Sequence, residues 1–210
     1  MLTYLFTQPF FFLIWLTALA LAVAVHEFAH AWAADRLGDP TPRLAGRLTL
    51  NPLAHLDPLG TLMLLIARIG WGKPVPVDPF NLRHPRRDSA LISLAGPAAN
   101  LLFALLLSLL LRLTPSALLF LLLTPLLVLN VSLAVFNLIP IPPLDGAKIF
   151  LGLLPPRQAA EWENLFRQYA TLLLFLLIVP FGGVSLAERF ITPIIHLILS
   201  LLLPSAAPLI

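Results

Sequence analysis

The chain has 210 residues, of which 59% are hydrophobic and 11% are charged, and its formal net charge at pH 7 is +3. A mean hydropathy of +0.93 is well above what a water-soluble domain of this length needs for its core. The composition therefore excludes an ordinary soluble protein and indicates an integral membrane protein whose basic residues contact anionic lipid rather than nucleic acid. Because there is no cysteine, any metal ligands must be histidine, aspartate or glutamate.

The apolar residues are grouped into six runs, at about 9–35, 59–70, 89–111, 117–139, 170–187 and 190–203. Since a spanning helix needs roughly 20 apolar residues, the first, third and fourth runs are predicted to cross the membrane. The second run is predicted to be re-entrant or interfacial, and the last two are shorter and interrupted by Pro180, Gly182 and Gly183. We expect an all-α polytopic membrane protein with about four to six transmembrane helices and a re-entrant or extended interfacial segment near 56–80.

Basic residues cluster on both sides of the second apolar run, at Arg36, Arg43, Arg47, Lys73, Arg83, Arg86 and Arg87. By the positive-inside bias, the region 36–87 is expected on the cytoplasmic side of the membrane. The end of the first span and the stretch after residue 139 then share that side. We expect a single integral-membrane domain over 1–210, with a core at about 9–153 and C-terminal helices at about 165–203.

The first span contains the sequence HEFAH at residues 26–30. On a helix, His26 and His30 project from one face a single turn apart, so both imidazoles can share one metal ion. Glu27 leaves the helix about 100° away, near enough to reach a metal-bound water without ligating the metal. This H-E-x-x-H arrangement is typical of a zinc site with a carboxylate general base. Structural histidines that hydrogen-bond across helices are the weaker alternative, because ionisable groups within a span are costly and usually functional.

Zinc needs a third protein ligand, and Asp145 is the candidate. Pro140, Pro142 and Pro143 precede it and prevent a continuous helix, so the backbone there must be buried in protein or face water. On local sequence alone, Asp145 could equally be the N-cap of a short helix over 146–153. The membrane depth that it shares with HEFAH favours a ligand.

Together these residues resemble the site-2 protease family of intramembrane zinc metalloproteases. The resemblance rests on HEFAH at 26–30 and on N-x-x-P-x-P-x-x-D-G at 137–146, with AGPAAN at 95–100 as a supporting match. The loops are too short to hold a PDZ or CBS module, so the chain is similar to a compact member of the family, in the small bacterial group that shares GRLTLNPLAHLDPLGTL.

The resemblance implies cleavage of the transmembrane segment of a membrane-protein substrate. It also implies that His26, His30 and Asp145 hold one catalytic zinc ion, that Glu27 is the general base and that Asn137 binds substrate. A hydrogen bond to a neighbouring helix is the alternative role for Asn137, because an amide at the end of an apolar run needs a partner.

Other polar positions carry weaker predictions. The stretch WGKPVPVDPF at 71–80 is predicted to form an interfacial extended edge that lines the groove and aligns substrate by strand addition. A surface loop anchored by Trp71 in the headgroup region is the alternative. His55 and Asp57 could approach the metal, although turn chemistry also explains them. Asn100, in the AGPAAN match, is assigned a structural role, with Gly96 and Ala98 allowing close helix packing.

Two other functions could use the same site: a non-proteolytic membrane zinc-binding protein or transporter, and a zinc-dependent lipid amide hydrolase. Transporters usually need several intramembrane clusters along a path, and this sequence has one. Glu27 also argues for hydrolysis, since a pure binding site has no need of a positioned base. An extended groove would favour a peptide substrate, whereas a deep acyl-sized cavity would favour a lipid.

Overall fold

The computed structural model describes residues 6–67, 70–180 and 182–204. Within these residues the backbone forms eight α-helices and two 3-10 turns, Pro52–Ala54 and Pro79–Asn81, and no strand. The helices are α1 Pro9–Leu37, α2 Thr41–Leu44, α3 Pro58–Ala67, α4 Pro85–Leu113, α5 Ala117–Asn137, α6 Asp145–Leu153, α7 Pro156–Ile178 and α8 Leu186–Leu202. The predicted all-α class is confirmed.

Three of the described helices are long and apolar enough to cross a membrane, namely α1, α4 and α5. They correspond to the three runs predicted as spans. The ten residues of α3 are too few to cross, as expected. In the C-terminal region, the apolar run 170–187 is divided between the end of α7 and the start of α8, because Gly182 and Gly183 adopt left-handed φ angles of 71° and 96° between them. The prediction of about four to six spans allowed for one or both of the last two apolar runs. Helix α7 begins with charged turns and α8 has 17 residues, and neither is among the described helices that are long and apolar enough to cross.

Helix α1 has clear chemical boundaries. It begins at Pro9, where the missing N–H of proline costs nothing, and it ends before Gly38, whose φ of 108° lies in the left-handed region that glycine tolerates. No proline or glycine interrupts it between these points. The HEFAH sequence therefore lies on an unbroken helix, about two turns before its end.

The apolar core joins α1, α4 and α5. Buried side chains of the three helices pack in one cluster that includes Ala18, Leu107 and Val131, and Ile191 and Leu199 of α8 cover it. Alanines make up most of the buried positions of α1, and small side chains let neighbouring helices approach closely. This close packing brings the polar residues of α1 against α4.

Polar contacts hold the connecting region, which we define as residues 38–57 and 70–81. The fully buried carboxylate of Asp39 accepts hydrogen bonds from Thr41, from the backbone N–H of Asp78 and from the side-chain amide of Asn81. Burial by itself would raise the pKa of Asp39, but the hydrogen bonds outweigh it and lower the pKa below its ordinary value. Asp39 thus ties the two halves of the connecting region together.

Arg47 makes a second tie. Its guanidinium is buried and donates to the backbone carbonyls of Ala54, Lys73 and Pro74, the last two at 3.2 and 3.1 Å. An isolated antiparallel bridge also pairs Leu56 with Gly72. The backbone runs without helix from Gly70 to Asp78, so the non-helical segment expected near 56–80 is present, although no regular strand forms among its described residues.

Candidate metal centre

The side chains of His26, His30 and Asp145 converge at one point, and we call them the ligand cluster. Oδ2 of Asp145 lies 3.1 Å from Nε2 of His26 and 3.2 Å from Nε2 of His30, and the two Nε2 atoms are 3.0 Å apart. Both histidines are buried, and the Asp145 side chain is 15% exposed. Asp145, which the sequence suggested as the third ligand, follows His30 by 115 residues in the chain. The fold thus brings it to the histidine pair.

The hydrogen bonds on the far side of each imidazole decide which nitrogen faces the cluster. Nδ1 of His30 is 2.7 Å from the carbonyl oxygen of Ile92, which can only accept, so this nitrogen carries the hydrogen. Nδ1 of His26 is 2.6 Å from Oδ1 of Asn100, whose amide nitrogen is directed at the carbonyl of Ala22. In a neutral imidazole with its hydrogen on Nδ1, Nε2 carries the lone pair, so the neutral form of both histidines directs two nitrogen donors at the point where the carboxylate of Asp145 lies.

Three lone pairs at such distances repel one another unless a cation lies between them, so the donor set fits a metal ion. Zinc bonds to histidine nitrogen and carboxylate oxygen are about 2.0–2.2 Å long, which puts tetrahedral ligands about 3.3 Å apart. The observed separations of 3.0–3.2 Å are close to that value. Three protein ligands leave a fourth position for water or substrate, as in catalytic zinc sites.

Two glycines make room for the ligand cluster. A Cβ added to Gly96 of α4 would lie 2.4 Å from Nε2 of His30 and 2.7 Å from Cε1 of His26. A Cβ added to Gly146 would lie 2.3 Å from the carbonyl oxygens of Leu138 and Ile139. The first glycine lets α4 pack directly against the imidazoles, and the second lets the chain fold back tightly where Asp145 begins α6.

Glu27 lies beside the ligand cluster but is not a member of it. Its side chain is partly buried, and among the described residues no hydrogen bond or ion pair engages its carboxylate. A Cβ added to Gly72 would lie 4.0 Å from Oε1 of Glu27 and 3.3 Å from Cγ1 of Val23. The connecting region therefore passes next to the Glu27 carboxylate at Gly72, where a larger residue would crowd Val23.

Three other predicted residues lie outside the ligand cluster. Asn137 donates from Nδ2 to the carbonyl of Leu133 on its own helix, at 3.0 Å, so the described contacts do not include a bond to a neighbouring helix. Asp57 accepts from the backbone N–H of Gly60 at 2.7 Å and caps α3, as turn chemistry predicts. His55 is fully buried, and its Nε2 donates to the carbonyl of Thr49 at 2.8 Å.

Asn100 is the residue whose contact the sequence did not reveal. Its assignment to helix packing omitted the hydrogen bond that it accepts from His26. The only signal was the presence of an amide in an apolar helix, since such groups need a partner within the membrane. The identity of that partner depends on how α4 is rotated against α1, which local sequence does not specify.

Known proteins similar to this chain carry the names of zinc metalloproteases. The chain is 38% identical over 175 residues to "Putative zinc metalloprotease YwhC" of Bacillus subtilis (strain 168), covering 79% of this chain and 80% of that protein. It is 37% identical over 175 residues to "Putative zinc metalloprotease Rip2" of Mycolicibacterium smegmatis and 38% identical over 177 residues to the Rip2 protein of Mycobacterium tuberculosis (strain H37Rv). Each of these matches covers 79% of this chain, which spans 64% of each Rip2 protein. No solved structure matches the chain.

The sequence model of Peptidase family M50 matches residues 113–181. This stretch contains Asp145 and the three prolines that precede it. The donor atoms and spacing of the ligand cluster are those of a zinc site. Identity above 30% over four fifths of both chains, together with this site, shows that the protein belongs to Peptidase family M50, the site-2 protease family, and is a membrane zinc metalloprotease.

Proposed function

We propose that the protein is an intramembrane protease that hydrolyses a peptide bond in or near the transmembrane segment of a membrane-protein substrate. The observation that carries the proposal is the position of the ligand cluster, whose two histidines are buried between α1 and α4. Both helices are long and apolar enough to cross a bilayer. A peptide bond that reaches this site must therefore come from within the bilayer or from its surface.

His26, His30 and Asp145 would hold the zinc ion, which would lower the pKa of a bound water so that hydroxide would be available near neutral pH to attack a peptide carbonyl. We assign Glu27 as the general base that takes a proton from this water and returns it to the leaving amine. Glu27 follows His26 directly on α1 and precedes His30 by one helical turn, and its carboxylate makes no hydrogen bond or ion pair within the described residues. A free carboxylate in this place has no role in a site that only binds metal, which favours hydrolysis over storage or transport.

A helical substrate hides its peptide bonds, so the segment to be cleaved must be extended when it binds. The connecting region offers a partner for an extended chain at Val75 and Val77, whose backbone N–H and C=O groups take part in no hydrogen bond among the described residues. Prolines 74, 76 and 79 lack N–H groups and limit this segment to an edge position. We propose that substrate adds to this edge and that Asn137, whose side-chain oxygen has no partner within the described chain, contacts it.

We place the site toward the cytoplasmic side of a bacterial plasma membrane, with α1, α4 and α5 as spans. The support is the cluster of basic residues in the connecting region and at the start of α4. On this topology, a reporter fused at Thr114, between α4 and α5, is extracytoplasmic. A cytoplasmic signal from that fusion would reverse the orientation without affecting the chemistry.

The test compares wild type with Glu27→Gln in detergent, with zinc content and cleavage of a mixed panel of single-span membrane peptides and lipid amides as readouts. We expect about one zinc ion per chain in both proteins and peptide cleavage in wild type alone, because a glutamine amide cannot act as a base. Glu163→Gln, on the exposed face of α7, is the matched control and should keep full activity. Turnover by zinc-loaded Glu27→Gln would overturn the base assignment, and hydrolysis of lipid amides instead of peptides would overturn the substrate class.

A further inference from the structure

Two fully buried asparagines lie behind the metal centre, on the side away from Asp145. Asn100 is on α4 and Asn130 is on α5, and both have 0% exposure. Each lies within a helix that is long and apolar enough to span the membrane. A primary amide in such surroundings is costly unless its groups are hydrogen-bonded, so the partners of these two residues account for their presence.

The hydrogen bonds of the two amides form one directed chain. Nδ2 of Asn130 donates to the carbonyl of Leu126 at 2.8 Å, and Oδ1 of Asn130 accepts from Nδ2 of Asn100 at 2.7 Å. Nδ2 of Asn100 also donates to the carbonyl of Ala22 at 3.0 Å, and Oδ1 of Asn100 accepts from Nδ1 of His26 at 2.6 Å. Because main-chain carbonyls only accept, neither amide can be turned over without losing a bond. The direction of every bond in the chain is therefore determined.

The two histidines of the ligand cluster are oriented by different means. His30 donates to the main-chain carbonyl of Ile92, which is present whatever side chain stands at that position. His26 donates to a side chain, and that side chain is itself held by a second side chain on another helix. Of the two histidines, only His26 therefore relies on a particular side chain as the hydrogen-bond acceptor that orients its ring.

We propose that Asn100, held in place by Asn130, is the positioning residue for His26. It keeps the hydrogen of His26 on Nδ1 and directs Nε2 at the position shared with His30 and Asp145. Hydrogen bonds of this kind to a metal-ligating histidine fix its tautomer and raise its basicity, and their loss weakens metal binding by about 10- to 100-fold. The proposal deepens the proposed function, on whose metal site it rests.

The test separates the acceptor oxygen of Asn100 from its donor nitrogen. In Asn100→Leu both are lost, whereas Asn100→Asp keeps an oxygen for Nδ1 of His26 and loses the amide that donates to Ala22 and Asn130. We expect Zn²⁺ affinity, measured by chelator competition on the full-length chain in detergent, to fall about 10- to 100-fold in Asn100→Leu and to stay within about threefold of wild type in Asn100→Asp. The visible absorption of bound Co²⁺ should change in the first variant and be retained in the second.

A merely structural role for Asn100 makes the opposite prediction, because helix packing depends on the donor bonds that Asn100→Asp removes. Equal loss of Zn²⁺ affinity in the two variants, or wild-type affinity in Asn100→Leu, would overturn the proposal.

Thr124→Val is the matched control, since Thr124 is buried on α5, as Asn130 is, and its hydroxyl has no hydrogen-bond partner among the described residues. Asn130→Leu should weaken Zn²⁺ binding less than Asn100→Leu, because the bond to Ala22 remains. These readouts do not require cleavage, so the positioning role of Asn100 can be confirmed even if no membrane peptide is hydrolysed.

Discussion

The ligand cluster and the connecting region are both built from buried polar groups, but they are held in different ways. His26 and His30 project from a continuous helix into a space that Gly96 leaves open, and neutral amides and carbonyls orient their rings. The connecting region has little regular structure and is held by two buried ionic side chains, Asp39 and Arg47. These two ions bind main-chain and neutral side-chain groups, and they do not pair with each other in the described part of the chain.

This difference separates two kinds of sensitivity. The geometry of the ligand cluster depends on the volume between α1 and α4, so metal binding should respond to the size of residues at that contact. The segment beside Glu27 depends on individual hydrogen-bond donors and charges, so its position should respond to changes in those groups while the metal stays bound. The proposed function uses both regions, and the following variants test whether they can be uncoupled.

The largest effect is expected from Gly96→Ala. The added methyl would lie 2.4 Å from Nε2 of His30, far inside van der Waals contact, so either the imidazoles or α4 must move. We expect Zn²⁺ content to fall from about one per chain to near zero, with loss of all cleavage. Metal analysis after purification in zinc-containing buffer measures this. Ala98→Leu adds more volume on an exposed part of the same helix and should leave Zn²⁺ content unchanged. Full zinc occupancy in Gly96→Ala would show that the contact is looser than the structure indicates.

A smaller and more selective effect is expected from Arg47→Lys. Lysine keeps the charge but lacks the planar fork that reaches the carbonyls of Ala54, Lys73 and Pro74 together. The segment next to Glu27 should then be held less firmly, and we expect the cleavage rate to fall by about tenfold while Zn²⁺ content stays near one. Arg157→Lys, at an exposed position of α7, is the control for the substitution itself. Loss of zinc along with activity would mean that the two regions form a single structural unit.

The smallest effect is expected from acidification acting through Asp39. The pKa of Asp39 is lower in the folded protein than its ordinary value of about 3.9, so its ionised form stabilises the fold at pH values above that. This contribution is lost as the pH falls through the folded pKa. Limited proteolysis within 70–81 should therefore accelerate below about pH 4 in wild type. Asp39→Asn should be cleaved faster at neutral pH and respond less to acid, and equal pH responses in the two proteins would contradict this role of Asp39.

The difference between these regions also explains which features were predictable. The spacing of His26 and His30, the length of α1 and the helix-breaking prolines before Asp145 are local properties, and each was predicted from residue types along a few turns of chain. The boundary between α7 and α8 was not predicted, because a run of apolar residues does not show where Gly182 and Gly183 turn the chain. The ties made by Asp39 and Arg47 were also not predicted, since both residues stand in a polar loop in which most charges are exposed.

The sequence by itself determined the membrane character of the protein, the helical face that carries two histidines and a glutamate, and the expectation that these residues form a zinc site. Only the tertiary structure brought Asp145 to the two histidines, left space for them at Gly96 and placed Asn100 within hydrogen-bond distance of His26. The physical reason is that a helix presents side chains by local periodicity, whereas the partner of a buried polar atom depends on the rotation and depth of a second helix. That rotation results from the packing of the whole core and is not encoded in any single segment.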